Sequence, residues 1–180
     1  MAGDERIRLF CGLQLPAGAV EVVATWQAEH LDGVRGRIVP PEHLHVTLAF
    51  LGSRPGDEVP AIAAALGEAA ARAAPAELRP LRYRETRSVG MIVCEDRGGT
   101  ATALAADLGE RLERLGVYRR EGRPWLPHLT VLRFREPPRL RPPLPELGNV
   151  RSVRCALYRS ILGAGGARYE VLESLSLGGR

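Results

Sequence analysis

The chain has 180 residues, which fits one compact domain or two small lobes around a shared core, and its 45% hydrophobic content supplies that core and excludes wholesale disorder. Its formal net charge of +4 favours an anionic partner, and all 25 basic residues are arginine. A GC-rich genome produces such a composition without functional cause. Its consequence still excludes function classes: without lysine there is no nucleotidyl-lysine ligase, no Schiff-base enzyme and no P-loop of the usual lysine-bearing kind.

The opening Met1–Arg6 lacks a basic stretch followed by an apolar one, and no segment approaches the ~18 apolar residues of a membrane span. A cytoplasmic protein without membrane contact is expected. Cys11, Cys94 and Cys155 are odd in number and scattered, so they read as reduced and mostly buried.

In chain order, Arg6–Leu13 alternates as a first strand before Pro16, and Ala17 to about His30 has helical spacing through Val20, Val23 and Trp26. Arg37–Val39 is short and extended, and His43–Leu51 predicts a long strand closed by Gly52. Asp57 is placed to cap a helix running through Ala74 to Pro75. Leu78–Arg84 and Ser88–Glu95 predict a hairpin around 85–87. A second helix follows from Thr100 to about Leu115, with Leu104, Leu108 and Leu112 on one face and Gly116 at its end. Trp125–Phe134 predicts another strand, Glu136 to Pro145 an exposed proline-rich loop, and Val150–Leu162 and Tyr169–Leu177 the last strands around Gly163–Gly166.

Within this order one pattern occurs twice. His45-Val46-Thr47-Leu48 and His128-Leu129-Thr130-Val131 are separated by nearly half the chain. In a strand each histidine and its threonine share one face while the apolar residues take the other. One such tripeptide carries little information, because a lone strand histidine is more often structural. Two of only four histidines in matching contexts, each after a proline-bearing entry, point to a shared site. Two imidazoles can remove a proton from a nucleophile and deliver one to a leaving oxygen, and hydroxyls can donate to the oxyanion between them. The elements therefore predict an α+β fold, 1–180 forming a single domain of two lobes related by a pseudo-twofold axis, with antiparallel sheet and helices around a central cleft carrying both motifs.

Other residues are weaker candidates. His43 lies two residues before His45 and shares its face if the strand is regular. A His-x-His pair can ligate a metal, but no carboxylate accompanies it, so a rim position touching the substrate nucleotide is preferred and no metal is assigned. Strict alternation puts Arg133 and Arg135 off the His128 face, so a bulge or strand end is needed to bring either in; for Arg135 a solvated position is preferred. Phe10, Trp125 and Tyr169 are candidate substrate-contacting aromatics, each with core packing as the commoner alternative.

The stretches Pro40-Pro41-Glu42-His43-Leu44-His45-Val46-Thr47-Leu48-Ala49-Phe50-Leu51-Gly52 and Arg123-Pro124-Trp125-Leu126-Pro127-His128-Leu129-Thr130-Val131-Leu132-Arg133 resemble the two signatures of the two-histidine (2H) phosphoesterases. They look most like the RNA 2',3'-cyclic phosphodiesterase branch, also called 2'-5' RNA ligase. Arg8-Leu9-Phe10 and the ending from Ser160 through Tyr169 fit as well. Val131 stands where leucine is usual, and His43 where asparagine is common. The resemblance implies a monomeric, cofactor-free hydrolase acting on RNA or a nucleotide ending in a 2',3'-cyclic phosphate and giving a 2'-phosphate, with RNA processing as its setting. It implies His45 as proton donor, His128 as proton acceptor, and Thr47, Thr130 and Arg133 as phosphate-binding. The near-symmetric motifs do not themselves divide donor from acceptor. Run in reverse, the same site would form a 2'-5' linkage. Two alternatives stay open: a phosphodiesterase for a small cyclic phosphate or oligoadenylate, and an RNA-binding module with little catalysis.

Overall fold

The computed structural model describes residues 5–178. Strand β1 (Arg6–Gln14) leads through Pro16 into helix α1 (Ala17–His30), and β2 (Arg37–Ile38) precedes β3 (His45–Pro55). Helix α2 (Val59–Arg72) is followed by the hairpin of β4 (Ala76–Glu85) and β5 (Val89–Arg97), helix α3 (Thr100–Arg114) and β6 (His128–Arg133). Strands β7 (Val150–Ser152), β8 (Arg154–Gly163) and β9 (Gly166–Ser176) complete the chain.

The strands make one antiparallel sheet, ordered β7-β4-β5-β6-β3-β1-β8-β9 with β2 on the side of β6, curled into a half-barrel. Its seam is β3 against β6, where Val46 faces Leu129. On each side of the seam the same unit occurs: a strand, a helix, and a motif strand returning antiparallel beside the first (β1-α1-β3 and β5-α3-β6). The α+β, two-lobed expectation holds, with the lobes joined through their motif strands.

Strand parity separates the two sides of the sheet. Leu9, Cys11 and Leu13 of β1 enter the main core with Leu48, Ile62, Leu66, Leu104, Leu108 and Leu112, while Phe10 turns the other way onto Ala156 and Tyr158. The three cysteines are free, Cys11 and Cys155 being buried, and burial pushes their thiols up.

Several boundaries differ from the sequence expectation. The strand expected from His43 starts at His45, because Pro41–His43 forms a 3-10 turn in which the Leu44 N–H returns to the Pro41 carbonyl at 3.1 Å. It then runs on to Pro55, passing Gly52 at φ +68° beside a bulge at Leu51. Asp57 lies in a 3-10 turn (Gly56–Glu58) rather than acting as a side-chain cap, and α2 stops at Arg72. Strand β6 begins at His128, not Trp125, since Pro124 and Pro127 have no N–H for the ladder. The strand expected over Val150–Leu162 splits at Val153: β7 pairs with β4 and β8 with β1. Ser152, wholly buried, holds that corner by donating to the Gln14 and Arg154 carbonyls.

The proline-rich loop is pinned rather than merely exposed. Leu140, Leu144 and Leu147 pack on the core, the Trp26 indole donates to the Pro143 carbonyl at 2.7 Å, and the Glu85 carboxylate accepts the Arg139 and Leu140 N–H groups.

Candidate active site

The Val46–Leu129 pairing fixes the geometry of both motifs. Those two side chains are buried, so their neighbours on the same strands face the concave side. Continuing the antiparallel register by one residue each way sets His45 beside Thr130 and Thr47 beside His128. The imidazoles stand at opposite corners and the hydroxyls at the other two.

Both histidines are tethered alike. His45 Nδ1 lies 2.7 Å from the His43 carbonyl, and His128 Nδ1 lies 2.8 Å from the Leu126 carbonyl. A carbonyl only accepts, so Nδ1 carries a hydrogen in each ring and Nε2 is the nitrogen left to exchange protons. His45 Nε2 pairs with Thr47 Oγ1 at 2.9 Å. Among the described residues His128 Nε2 has no hydrogen-bond partner.

Matching bulges extend the repeat beyond the motifs. Between β5 and β6, Met91 faces Thr130 and Gly90 faces Leu132, leaving Val131 as an extra residue. Between β1 and β3, Gly12 faces Thr47 and Cys11 faces Ala49, leaving Leu48 extra. An extra residue reverses strand parity, which brings Arg133 onto the side of His128 and Thr130 and puts Phe50 in the equivalent place beside His45 and Thr47. This is the bulge that Arg133 required.

The cleft holds about 480 Å³ and is lined by His45, Thr47, Thr130, Arg133, Phe10 and Tyr169 together with Arg8, Arg37, Phe50 and Ser160. Three arginines and no carboxylate line it, so its field favours an anion. Arg8 stacks its guanidinium over Phe50 at 4.8 Å. Burial lowers the pKa of His45 to about 4; the bond to the His43 carbonyl opposes this, while the charges of Arg133 and His128 reinforce it.

The aromatic candidates divide. Phe10 is nearly buried, stacks on Tyr158 and lies 4.7 Å from the His45 ring, forming the floor under that imidazole. Tyr169 packs edge-on to Phe10 and 4.4 Å from the His43 ring at the rim. His43 contributes its carbonyl to His45, and its side chain sits outside the cleft lining, as the 3-10 turn dictates. Trp125 packs on the core and donates its indole N–H to the Thr47 carbonyl at 3.1 Å, a strap between the motifs rather than a cleft wall.

Sequence reading missed Gly12, Arg8, Arg37 and Phe50. Phe50 was detectable, since it stands three residues after Thr47 as Arg133 does after Thr130. Gly12 faces Thr47 at close quarters: a Cβ there would lie 3.1 Å from His45 Cδ2. Nothing local marks Arg37, which the two-residue β2 delivers from far along the chain.

A curled antiparallel sheet presenting paired His-x-Thr strands defines a two-histidine phosphoesterase. A family model described as LigT like Phosphoesterase matches residues 13–82. An RNA 2',3'-cyclic phosphodiesterase of Thermus thermophilus is 35% identical over 187 residues, spanning 96% of this chain and 91% of that protein. The Escherichia coli K12 protein of the same name is 29% identical over 175 residues, 97% of this chain and 98% of its own. Among solved structures, one from T. thermophilus aligns with a TM-score of 0.83 at 33% identity, covering 96% of this chain and 99% of that one. E. coli LigT complexed with phosphate aligns at 0.79 and 26% identity, covering 97% and 99%. The chain belongs to the LigT-like phosphoesterase family.

Proposed function

We infer that the protein hydrolyses 2',3'-cyclic phosphate termini of RNA, leaving a 2'-phosphate. One observation carries the reading: two imidazoles with Nδ1 tied to a backbone carbonyl, on adjacent strands whose faces also bring Thr47, Thr130 and Arg133 together. The names of its near full-length relatives supply the substrate.

In the reaction, water attacks phosphorus and the bond from phosphorus to O3' breaks. His128 Nε2 takes the proton of the attacking water, and the protonated His45 Nε2 gives its own to O3', leaving a 3'-hydroxyl. This division of roles follows the family resemblance. Thr47 and Thr130 donate to the non-bridging oxygens and Arg133 offsets their charge, where stabilisation counts most as the transition state forms. In the free site the Thr47 hydroxyl is engaged by His45 Nε2, so the arriving phosphate oxygen takes over that bond. The phosphate anion also favours the imidazolium that burial alone disfavours.

The test is turnover of a cyclic-phosphate terminus with the product's phosphate located by NMR. The wild type yields a 2'-phosphate, and His45→Ala and His128→Ala each lower kcat by ~10² to 10⁴. A 3'-phosphate product, or near-normal turnover in either variant, overturns the scheme.

A further inference from the structure

A second concavity adjoins the cleft. It holds about 740 Å³ and is lined by Arg35, Arg37, Arg133 and Arg135 around Gly36, with Glu136 as its single carboxylate. Arg37 and Arg133 line both spaces, so the two share a wall. We propose that this arginine groove holds the phosphates of the RNA strand that leads into the cyclic terminus; the proposal rests on the reading of the cleft above.

Arg37 and Arg133 are directly opposed across β2 and β6, an arrangement of like charges that weakens a sheet. Among the described residues none of the four arginines has a carboxylate within ion-pair distance, and all four are exposed. Arg37 donates only to the Gly165 carbonyl on the β8–β9 turn. Repeated guanidinium groups beside one another suit a ligand with repeated anions, since each planar fork can take a phosphate through two N–H groups.

Gly36 has φ +149°, and a Cβ on it would lie 2.7 Å from the Arg133 carbonyl oxygen. Its missing side chain lets the Arg35–Arg37 segment close on β6, and that approach gathers the arginines along one wall.

A 2',3'-cyclic phosphate is the 3' end of its strand, so every further nucleotide lies on its 5' side. The only polymer leaving the cleft is that 5' strand, and the groove starts where the cleft ends. A mononucleotide would leave the groove empty.

The experiment compares a 2',3'-cyclic mononucleotide with a six-residue RNA of the same terminus, in the wild type and in Arg35→Gln/Arg135→Gln. Both residues lie in the groove and outside the cleft lining. The double variant should lower kcat/KM for the hexamer tenfold or more and leave the mononucleotide within twofold. In fluorescence anisotropy with a hexamer ending in 3'-phosphate, the salt dependence of its log K should fall by roughly 0.7 for each phosphate that the variant no longer neutralises. Equal losses on both substrates, or no loss on the hexamer, overturn the groove assignment while the cleft chemistry stands. If the wild type opens neither cyclic phosphate, the functional reading fails, and the anisotropy still decides the groove: unchanged hexamer affinity in the double variant refutes it.

Discussion

Gln27 Nε2 donates to the Val131 carbonyl at 2.9 Å, and Val131 is the bulge residue that turns Arg133 into the cleft. The same nitrogen donates at 2.9 Å to the Val39 carbonyl, so a helix side chain ties the end of the β2 segment to the bulge. Gln27 is almost fully buried, and its loss takes the donor from the Val39 carbonyl, while the Val131 carbonyl keeps only the Val39 N–H at 3.0 Å. Gln27→Met should cost about 1–3 kcal/mol of stability, measured by urea unfolding. As a positioning residue it should also raise KM several-fold with kcat within twofold, because Arg133 loses its aim. In a double-mutant cycle Gln27→Met should add little to the KM defect of Arg133→Gln. Fully additive defects would make Gln27 merely structural.

Gly12 should prove as sensitive as the motifs. Its Cβ in Gly12→Ala would meet His45 Cδ2 at 3.1 Å and the Val46 carbonyl at 3.2 Å, both tighter than ordinary contact. The ring must tilt away from the Thr47 hydroxyl, or the β1–β3 pair must part. Overpacking of this kind costs about 1–3 kcal/mol. The expected signature is a drop in kcat of tenfold or more with the thermal transition only modestly lowered. Unchanged kcat would show that the His45 ring has slack.

The elements and the two His–Thr pairs were legible because each is local. Alternation placed His45 with Thr47 and His128 with Thr130, and heptad-like leucines placed α3 correctly. What sequence hid depends on register. Two bulges at Leu48 and Val131 invert parity, and no residue type announces a bulge between buried apolar neighbours. Arg133 therefore looked misdirected and Phe50 was overlooked. Arg37 and Gly12 are site residues only because distant segments meet, and the Pro41–His43 turn took His43 off the face its spacing implied.

The lowered pKa of His45 makes stability depend on pH in a defined window. Its folded value is about 4 against the ordinary 6.5, so the unfolded chain binds more protons between them. Stability is then fully present above about 6.5 and falls as pH drops towards 4. Urea unfolding across that range should show the decline, and His45→Gln should flatten it. Saturating sulfate, a dianion throughout the window, should favour the imidazolium and reduce the slope in the wild type. A pH dependence identical in His45→Gln would refute the assignment.

Glu85 governs the loop over residues 136–148. Its carboxylate accepts the Arg139 N–H at 2.8 Å and the Leu140 N–H at 2.7 Å, and Tyr83 Oη donates to it at 3.2 Å. Arg139 sits at φ +59°, a conformation a non-glycine residue keeps only when its surroundings enforce it. In Glu85→Ala two loop N–H groups lose their acceptor and that enforcement goes. Amide exchange should accelerate over 136–148 and proteolysis should begin there. The Trp26–Pro143 bond holds the far side of the loop, so the core should stay folded. The active-site strands β3 and β6 touch none of the Glu85 bonds, so turnover of a cyclic mononucleotide should change less than twofold. A parallel loss of turnover would mean that the loop bears on the cleft, through the Ser88–Phe134 bond that joins the β4–β5 turn to the end of β6.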